Sequence, residues 1–404
     1  MKLFLQNKEK TVKLTFIFDT VMLKNEQGNY YAINLNYKLW KDRYLPVFKD
    51  MIVSTRCREE SDLTIKSKHA YTIVNGEHVK VLPITEYHEF TDVFFRKKRV
   101  ETQLEKVIEQ ADCVIIRLPS PLGNLACNIC KRQKKKYAIE MVACPWDGYR
   151  NHGHWAGKIV APYMWWQTKK QCQDAARVLY VTKYFLQKRY PTKGITVNAS
   201  NVMIHKSDEI VLENRIKKIE NNKLHYILGL VGPLELKSKG HEIALKALAI
   251  LKKEYPDIKI EFVGAGEGEK LRKIAKKLKI EKNVQIKGTI PAGEEMLHWM
   301  DTLDMLLIPS FQEGLPRVLI EAMSRGCPAA GAKTGGIPEL LREEMLHKPG
   351  DYKKLASDIK AVLSDKELAK ELARENFSEA EQYAKETLDS RRKKFWIDFK
   401  QHEW

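Results

Sequence analysis

Two glutamates eight residues apart, Glu313 and Glu321, bracket a segment whose residue types suit a phosphorylated ligand. The apolar run 305–308 reads as a strand leading towards Glu313. Gly314, Leu315 and Pro316 form a turn, and a helix is expected from Arg317 through Met323. A strand, a tight loop and a helix N-terminus together hold a phosphate, because free backbone N–H groups and the helix dipole both face the loop. Pro316 suits the first helical turn, where its missing N–H costs nothing. Glu313 in the loop and Glu321 one to two turns into the helix would accept hydrogen bonds from hydroxyls on either side of that phosphate. A sugar on one side and a ribose on the other fit this spacing.

Three further loops share the glycine-rich character. Gly229-Leu-Val-Gly232-Pro233 runs on to Lys237, Lys239 and Gly240 after another strand, where glycine lets the backbone approach a ligand and a lysine neutralises a diphosphate. Val263-Gly264-Ala265-Gly266-Glu267-Gly268 resembles a dinucleotide fingerprint. It follows the second strand of its half, whereas that fingerprint belongs to the first, so NAD is not expected. Gly288, Thr289 and Ile290 close a strand whose backbone either reads a nucleobase or simply ends.

The elements that must position these loops alternate. Strand candidates at 13–19, 48–55, 78–84, 111–117, 137–143 and 178–182 alternate in part with helices at 96–110, 121–134 and 155–174. A polar loop containing Gly28 and a helix through Trp40 are expected after the first strand. From His225 the pattern restarts, with strands at 225–231, 258–263, 284–287, 305–308 and 329–332. Alternation of this kind implies a parallel sheet covered on both faces, with ligands at the carboxyl ends of the strands. The polar stretch 207–222 reads as a linker, and the end of the chain as helices finishing in Phe395-Trp396-Ile397-Asp398-Phe399.

The Glu313-x7-Glu321 segment, with Glu-Gly-Leu-Pro-Arg, Glu-Ala-Met and Gly335-Gly336-Ile337-Pro338-Glu339, resembles the motif of the retaining family 4 glycosyltransferases of the bacterial surface-polysaccharide type. That resemblance implies an α/β chain of the GT-B fold, two doubly wound Rossmann-like domains facing a cleft. It implies an acceptor domain over 1–205, a nucleotide-sugar domain over 206–380, and a final helix over 381–404 crossing back to the first. It assigns the donor to Gly28, Gly232, Lys239, Gly240, Gly264, Gly266, Thr289, Ile290, Gly314, Leu315, Pro316, Arg317 and Glu321. Glu313 positions the sugar beside Lys239 and Asp147 as the catalytic set. The family needs neither a metal nor a cofactor beyond its nucleotide-sugar co-substrate, a UDP-sugar in the commonest case. Two departures stand out: Pro233 occupies the place of an arginine, for which Arg317 or Lys237 is a substitute, and a histidine usually paired with an aspartate is missing before Asp147. Arg150, His152 and His154 are the acceptor-side candidates.

The formal charge of +18 is uneven. Residues 1–200 hold 34 Lys and Arg against 19 Asp and Glu, and the remainder 36 against 33. The clusters 96–99, 131–136 and 183–189 attract anions, and an anionic membrane face is the preferred partner over nucleic acid, for which no recognition motif appears. A cytoplasmic protein, peripheral at the inner membrane face, is expected from a start without a signal-peptide pattern and from apolar runs too short to span a bilayer. Of the seven cysteines, Cys127 and Cys130 form the only close pair, and they read as buried helix residues better than as zinc ligands. The expected function is transfer of a sugar from a nucleotide-sugar to a lipid-linked or polysaccharide acceptor. The alternatives are a sugar-nucleotide epimerase or phosphorylase of the same fold, and an inactive partner that scaffolds another glycosyltransferase.

Overall fold

A computed structural model describes residues 12–33, 35–59, 71–85, 87, 92–150, 155–221 and 225–402. The chain divides into two compact units: Ser200–Leu388, and the residues up to Ala199 together with those from Asp389 on.

In the first unit the strands are β1 (Lys13–Lys24), β2 (Tyr30–Ala32), β3 (Asp50–Glu59), β4 (Thr72–Ile73), β5 (Val79–Val81), β6 (Cys113–Leu118), β7 (Lys136–Met141), β8 (Arg177–Tyr180) and β9 (Ile195–Asn198). They form one sheet in which β5, β3, β1, β6, β7, β8 and β9 lie side by side in parallel, with β2 and β4 added antiparallel. Strand β6 shows why both faces are covered. Val114 and Ile116 enter one core with the helices Lys97–Glu109 and Pro121–Arg132, while Cys113 and Ile115 enter another with Trp40, Tyr44, Trp396 and Phe399. Successive side chains of a strand point to opposite faces, so a continuous apolar run buries twice.

The last helix, Lys385–Gln401, is tied to this unit by more than its aromatic residues. Arg177 donates to Asp398 at 2.6 Å, and Arg392 donates to the Ala199 carbonyl at 3.2 Å. Beneath it lies a buried polar group in which Arg117 donates to Glu140 at 2.6 Å and Tyr44 donates to the other carboxylate oxygen at 2.8 Å. Burial alone would raise the Glu140 pKa. The Arg117 charge and the Tyr44 hydroxyl outweigh it and hold the carboxyl below its usual value.

In the second unit β10 (Ile227–Val231), β11 (Lys259–Val263), β12 (Val284–Gly288), β13 (Met305–Ile308), β14 (Ala329–Ala332) and β15 (Leu346–His347) are all parallel. Their order, β12-β11-β10-β13-β14-β15, reverses between β10 and β13. Ligands of doubly wound sheets bind where the order reverses, at the carboxyl ends of those two strands. The loops carrying Lys239 and Glu313 leave the sheet there.

Two expectations fail. The first strand does not end at residue 19: β1 continues through Val21, Met22 and Leu23, the loop containing Gly28 is the tight turn of a hairpin, and the helix that includes Trp40 begins only at Tyr37. Those apolar residues favour a strand. The turn beyond them is closed by Asn25, whose side chain accepts from the Asn29 N–H at 2.8 Å, and by Gly28 at φ +80°. The stretch read as a linker contains the helix Glu209–Glu220. Its anchor is Arg215, a buried guanidinium that donates to the carbonyls of Leu303 at 2.5 Å, Met300 at 2.9 Å and Arg325 at 3.1 Å. Lys218 adds donations to the carbonyls of Asp301 at 2.8 Å and Leu303 at 2.6 Å, so long-range cation–carbonyl bonds hold a segment whose composition looks solvated.

Candidate active site

The loops after β10, β11 and β12 stack at distances that only glycine allows. The Gly232 N–H donates to the Val263 carbonyl at 2.9 Å, and the Gly264 N–H to the Gly288 carbonyl at 2.8 Å. A Cβ on Gly264 would stand 2.0 Å from the Gly232 oxygen, and one on Gly232 would stand 2.7 Å from the Lys239 side chain. Gly240, at φ +75°, lies so close to the exit of β13 that a Cβ would be 2.1 Å from the Pro309 oxygen. This packing presses the Lys239 loop against the strand that leads to Glu313. The Lys239 ammonium accordingly reaches Glu313 Oε1 at 2.7 Å.

The turn after β14 completes the floor. Gly335 takes φ +58°, and a Cβ there would be 2.0 Å from the Glu313 oxygen. The Gly336 N–H donates to the Gly314 carbonyl at 2.6 Å. From Gly314 the chain enters the helix Arg317–Met323, with Pro316 at its cap, one residue ahead of the predicted first turn. Within that helix Arg317 Nε donates to Glu321 Oε1 at 2.7 Å. Glu321 is mostly buried, whereas Arg317 is 60% exposed. Lys239–Glu313 and Arg317–Glu321 are thus two carboxylate–cation pairs at the carboxyl end of one sheet.

Two residues that the sequence did not single out shape the same loops. His241 is buried at the start of the helix His241–Leu251, with its ring edge-on to Phe262 at 5.3 Å between centroids. Burial pushes its pKa down to about 4, so it is a neutral imidazole near neutral pH. Glu235 accepts from the Gly268 N–H at 3.1 Å and fastens the β11 loop to the β10 loop. No sequence pattern marks that pair, because the partners lie 33 residues apart. Gly266 packs near Leu234 and Glu235, Thr289 is exposed, Ile290 packs against the core that holds Trp299, and Lys237 is exposed.

In the first unit Asp147 lies on the short helix Pro145–Arg150 and accepts from Arg189 Nη1 at 2.7 Å. The same guanidinium reaches Cys144 Sγ at 3.1 Å. Arg189, read from the sequence as one charge of a basic cluster, is therefore a partner of Asp147. Arg150 lies over the Trp146 ring at 5.6 Å, and Gly28 serves the β1–β2 turn. His152 and His154 fall outside the described residues. Cys127 and Cys130 are free thiols within the core.

Comparison with known proteins shows the family of the chain. Residues 212–379 match the family model for glycosyl transferases, group 1. Protein CapJ of Staphylococcus aureus is 32% identical over 392 residues, covering 96% of both chains. The chain belongs to the group 1 glycosyl transferases. Among solved structures this glycosyltransferase is similar to HepE of Anabaena, determined with UDP, at a TM-score of 0.62, 17% identity, and 94% and 97% coverage of the two chains. Sucrose-phosphate synthase from Thermosynechococcus elongatus gives 0.61 and 16%, with 96% and 98% covered. At such identities the likeness speaks for the fold, which is GT-B. No helix among the described residues of the glycosyltransferase is long and apolar enough to cross a membrane.

Proposed function

We propose that this glycosyltransferase moves a sugar, a hexose or N-acetylhexosamine, from a UDP-sugar to a lipid-linked or polysaccharide acceptor at a membrane face, with retention at the anomeric carbon. The observation that carries the reading is the Lys239–Glu313 pair at 2.7 Å, set where the strand order reverses. Lys239 and Arg317 face the leaving diphosphate, and the close-packed glycines let the backbone approach it. Preorganised positive charge at the position where negative charge develops is the largest source of catalysis in such a site. Glu313 holds the donor sugar hydroxyls and steadies the positive charge that grows on the anomeric carbon. Glu321 takes the ribose hydroxyls. Asp147, held by Arg189, orients the incoming acceptor. One structural neighbour, HepE of Anabaena, has been determined with UDP and with UDP-glucose, which supports the donor class. Two others are lipopolysaccharide glycosyltransferases by name, which supports the acceptor class.

The reaction itself is the test. Incubated with a panel of UDP-sugars and water standing in for the acceptor, the protein should release UDP from one of them. Magnetic resonance of the first-formed sugar should show the anomer of the donor. Release of the opposite anomer would remove the retaining mechanism, and release from no UDP-sugar would remove the donor assignment.

A further inference from the structure

The helix Trp155–Asp174 is apolar on two opposite faces. Inward, Ala161, Met164, Thr168 and Cys172 are buried at helical spacing. Outward, Lys158, Ile159, Pro162, Tyr163, Trp166 and Lys170 form an exposed stripe. Ile159 is 66% exposed, Tyr163 45% and Trp166 51%. The outer face of a helix on a water-soluble domain is ordinarily polar. Here the polar members are lysines, and residues 148–173 contain no Asp or Glu.

The charges are arranged around the apolar strip. Lys170 Nζ lies over the Trp166 ring at 5.6 Å, and Lys169 Nζ over the Trp165 ring at 4.9 Å. Beside the helix, Lys97 lines the same shallow pocket as Tyr163 and Gln167. Phe95, 87% exposed, leads directly into the basic run Arg96–Arg99. Ion pairs hold members of every basic cluster: Arg96 pairs with Asp92 at 3.6 Å, Lys97 with Glu101 at 3.9 Å, Lys131 with Asp174 at 2.7 Å, Arg132 with Glu105, and Arg189 with Asp147.

We propose that this face docks on a bilayer rich in anionic phospholipid. The helix lies in the headgroup plane with Ile159, Pro162, Tyr163 and Trp166 at the acyl boundary. Tryptophan and tyrosine favour that depth, and lysine and arginine beside it gain from anionic headgroups. A second copy of the chain fits poorly as the occupant, because a self-complementary contact would press this lysine-rich face, with Lys158, Lys170 and the 96–99 run, onto the equally basic face of the other copy. The proposal deepens the membrane-face part of the function above and is independent of donor binding.

Flotation of the full chain with vesicles of phosphatidylglycerol or phosphatidylcholine tests it. The wild type should float with phosphatidylglycerol and about ten-fold less with phosphatidylcholine, and salt should weaken the binding. Ile159→Ser with Trp166→Ser, and separately Lys158→Gln with Lys170→Gln, should each bind phosphatidylglycerol about ten-fold more weakly. Lys276→Gln with Lys277→Gln, two exposed charges of the other unit, should bind like the wild type. Unchanged melting temperatures would show that each fold is intact. The proposal is overturned if the wild type stays with neither vesicle, if both stripe variants float like the wild type, or if the stripe variants instead dissociate a wild-type dimer. None of these outcomes depends on whether UDP binds, so a failure here leaves the donor site standing.

Discussion

Glu313→Gln should lower kcat by about two to three orders of magnitude, the range found when one preorganised electrostatic contact is removed from a transition state. The substitution keeps the shape of the side chain and removes its charge. Glu313 is about one-tenth exposed, and its Oε1 sits 2.7 Å from the Lys239 ammonium. In the proposed mechanism the carboxylate opposes the positive charge that grows on the sugar while Lys239 opposes the negative charge that grows on the phosphate. A neutral amide loses the first effect and leaves Lys239 free for the second. Donor KM should therefore stay level or fall while kcat collapses, the signature of an interaction made mainly in the transition state. A variant with wild-type kcat and a raised KM would make Glu313 a binding residue only. The pair is partly solvated, so its loss should change stability by no more than about 1 kcal/mol.

The second large effect is expected from a residue that touches no substrate. Gly335→Ala places a methyl group 2.0 Å from the Glu313 carbonyl oxygen and 2.9 Å from that of Gly314, at φ +58°. A left-handed alanine alone costs about 1–2 kcal/mol, and the backbone contact adds to it. The cheapest escape is for the Glu313 loop to move away. Activity should then fall about 100-fold, since an ångström of misplacement in a catalytic group is enough for that. The melting temperature should drop by several degrees while the circular dichroism spectrum is kept. Gly314→Ala is the control for stability: its Cβ would meet nothing within 4 Å and its φ is not positive, so its melting temperature should match the wild type. If Gly335→Ala is as active as the wild type, the β14 turn does not set the position of Glu313.

The donor half was legible in the sequence because its signals are local. Met305–Ile308 and Ala329–Ala332 are short apolar runs between turn residues, and both strands fall where they were read. Gly264 and Gly240 reveal themselves because a close backbone approach excludes every other residue, and Gly232 because its Cβ would meet the Lys239 side chain. What stayed hidden depends on partners far along the chain. The helix Glu209–Glu220 rests on Arg215 and carbonyls 85 to 110 residues away. The Arg189 partner of Asp147 looked like a surface charge because 42 residues separate them. The β1–β2 hairpin is hidden for a different reason: the polar stretch 24–29 reads as a loop of any kind, and only the pairing of Leu23 with Tyr31 and Lys24 with Tyr30 makes it a tight turn between strands. The apolar outer face of the helix Trp155–Asp174 could be read only once the inner face was known, since periodicity does not distinguish the two sides.

The central claim is that the second unit binds a nucleotide through Glu321 and the loops around Lys239. Calorimetric titration of UDP into the wild type and into Glu321→Ala tests it most directly. A saturable heat in the wild type that weakens about ten-fold or more in Glu321→Ala, the cost of a lost charge-assisted hydrogen bond to the ribose, is the predicted result. No UDP binding by folded wild-type protein, or equal affinity in the two, would contradict the account.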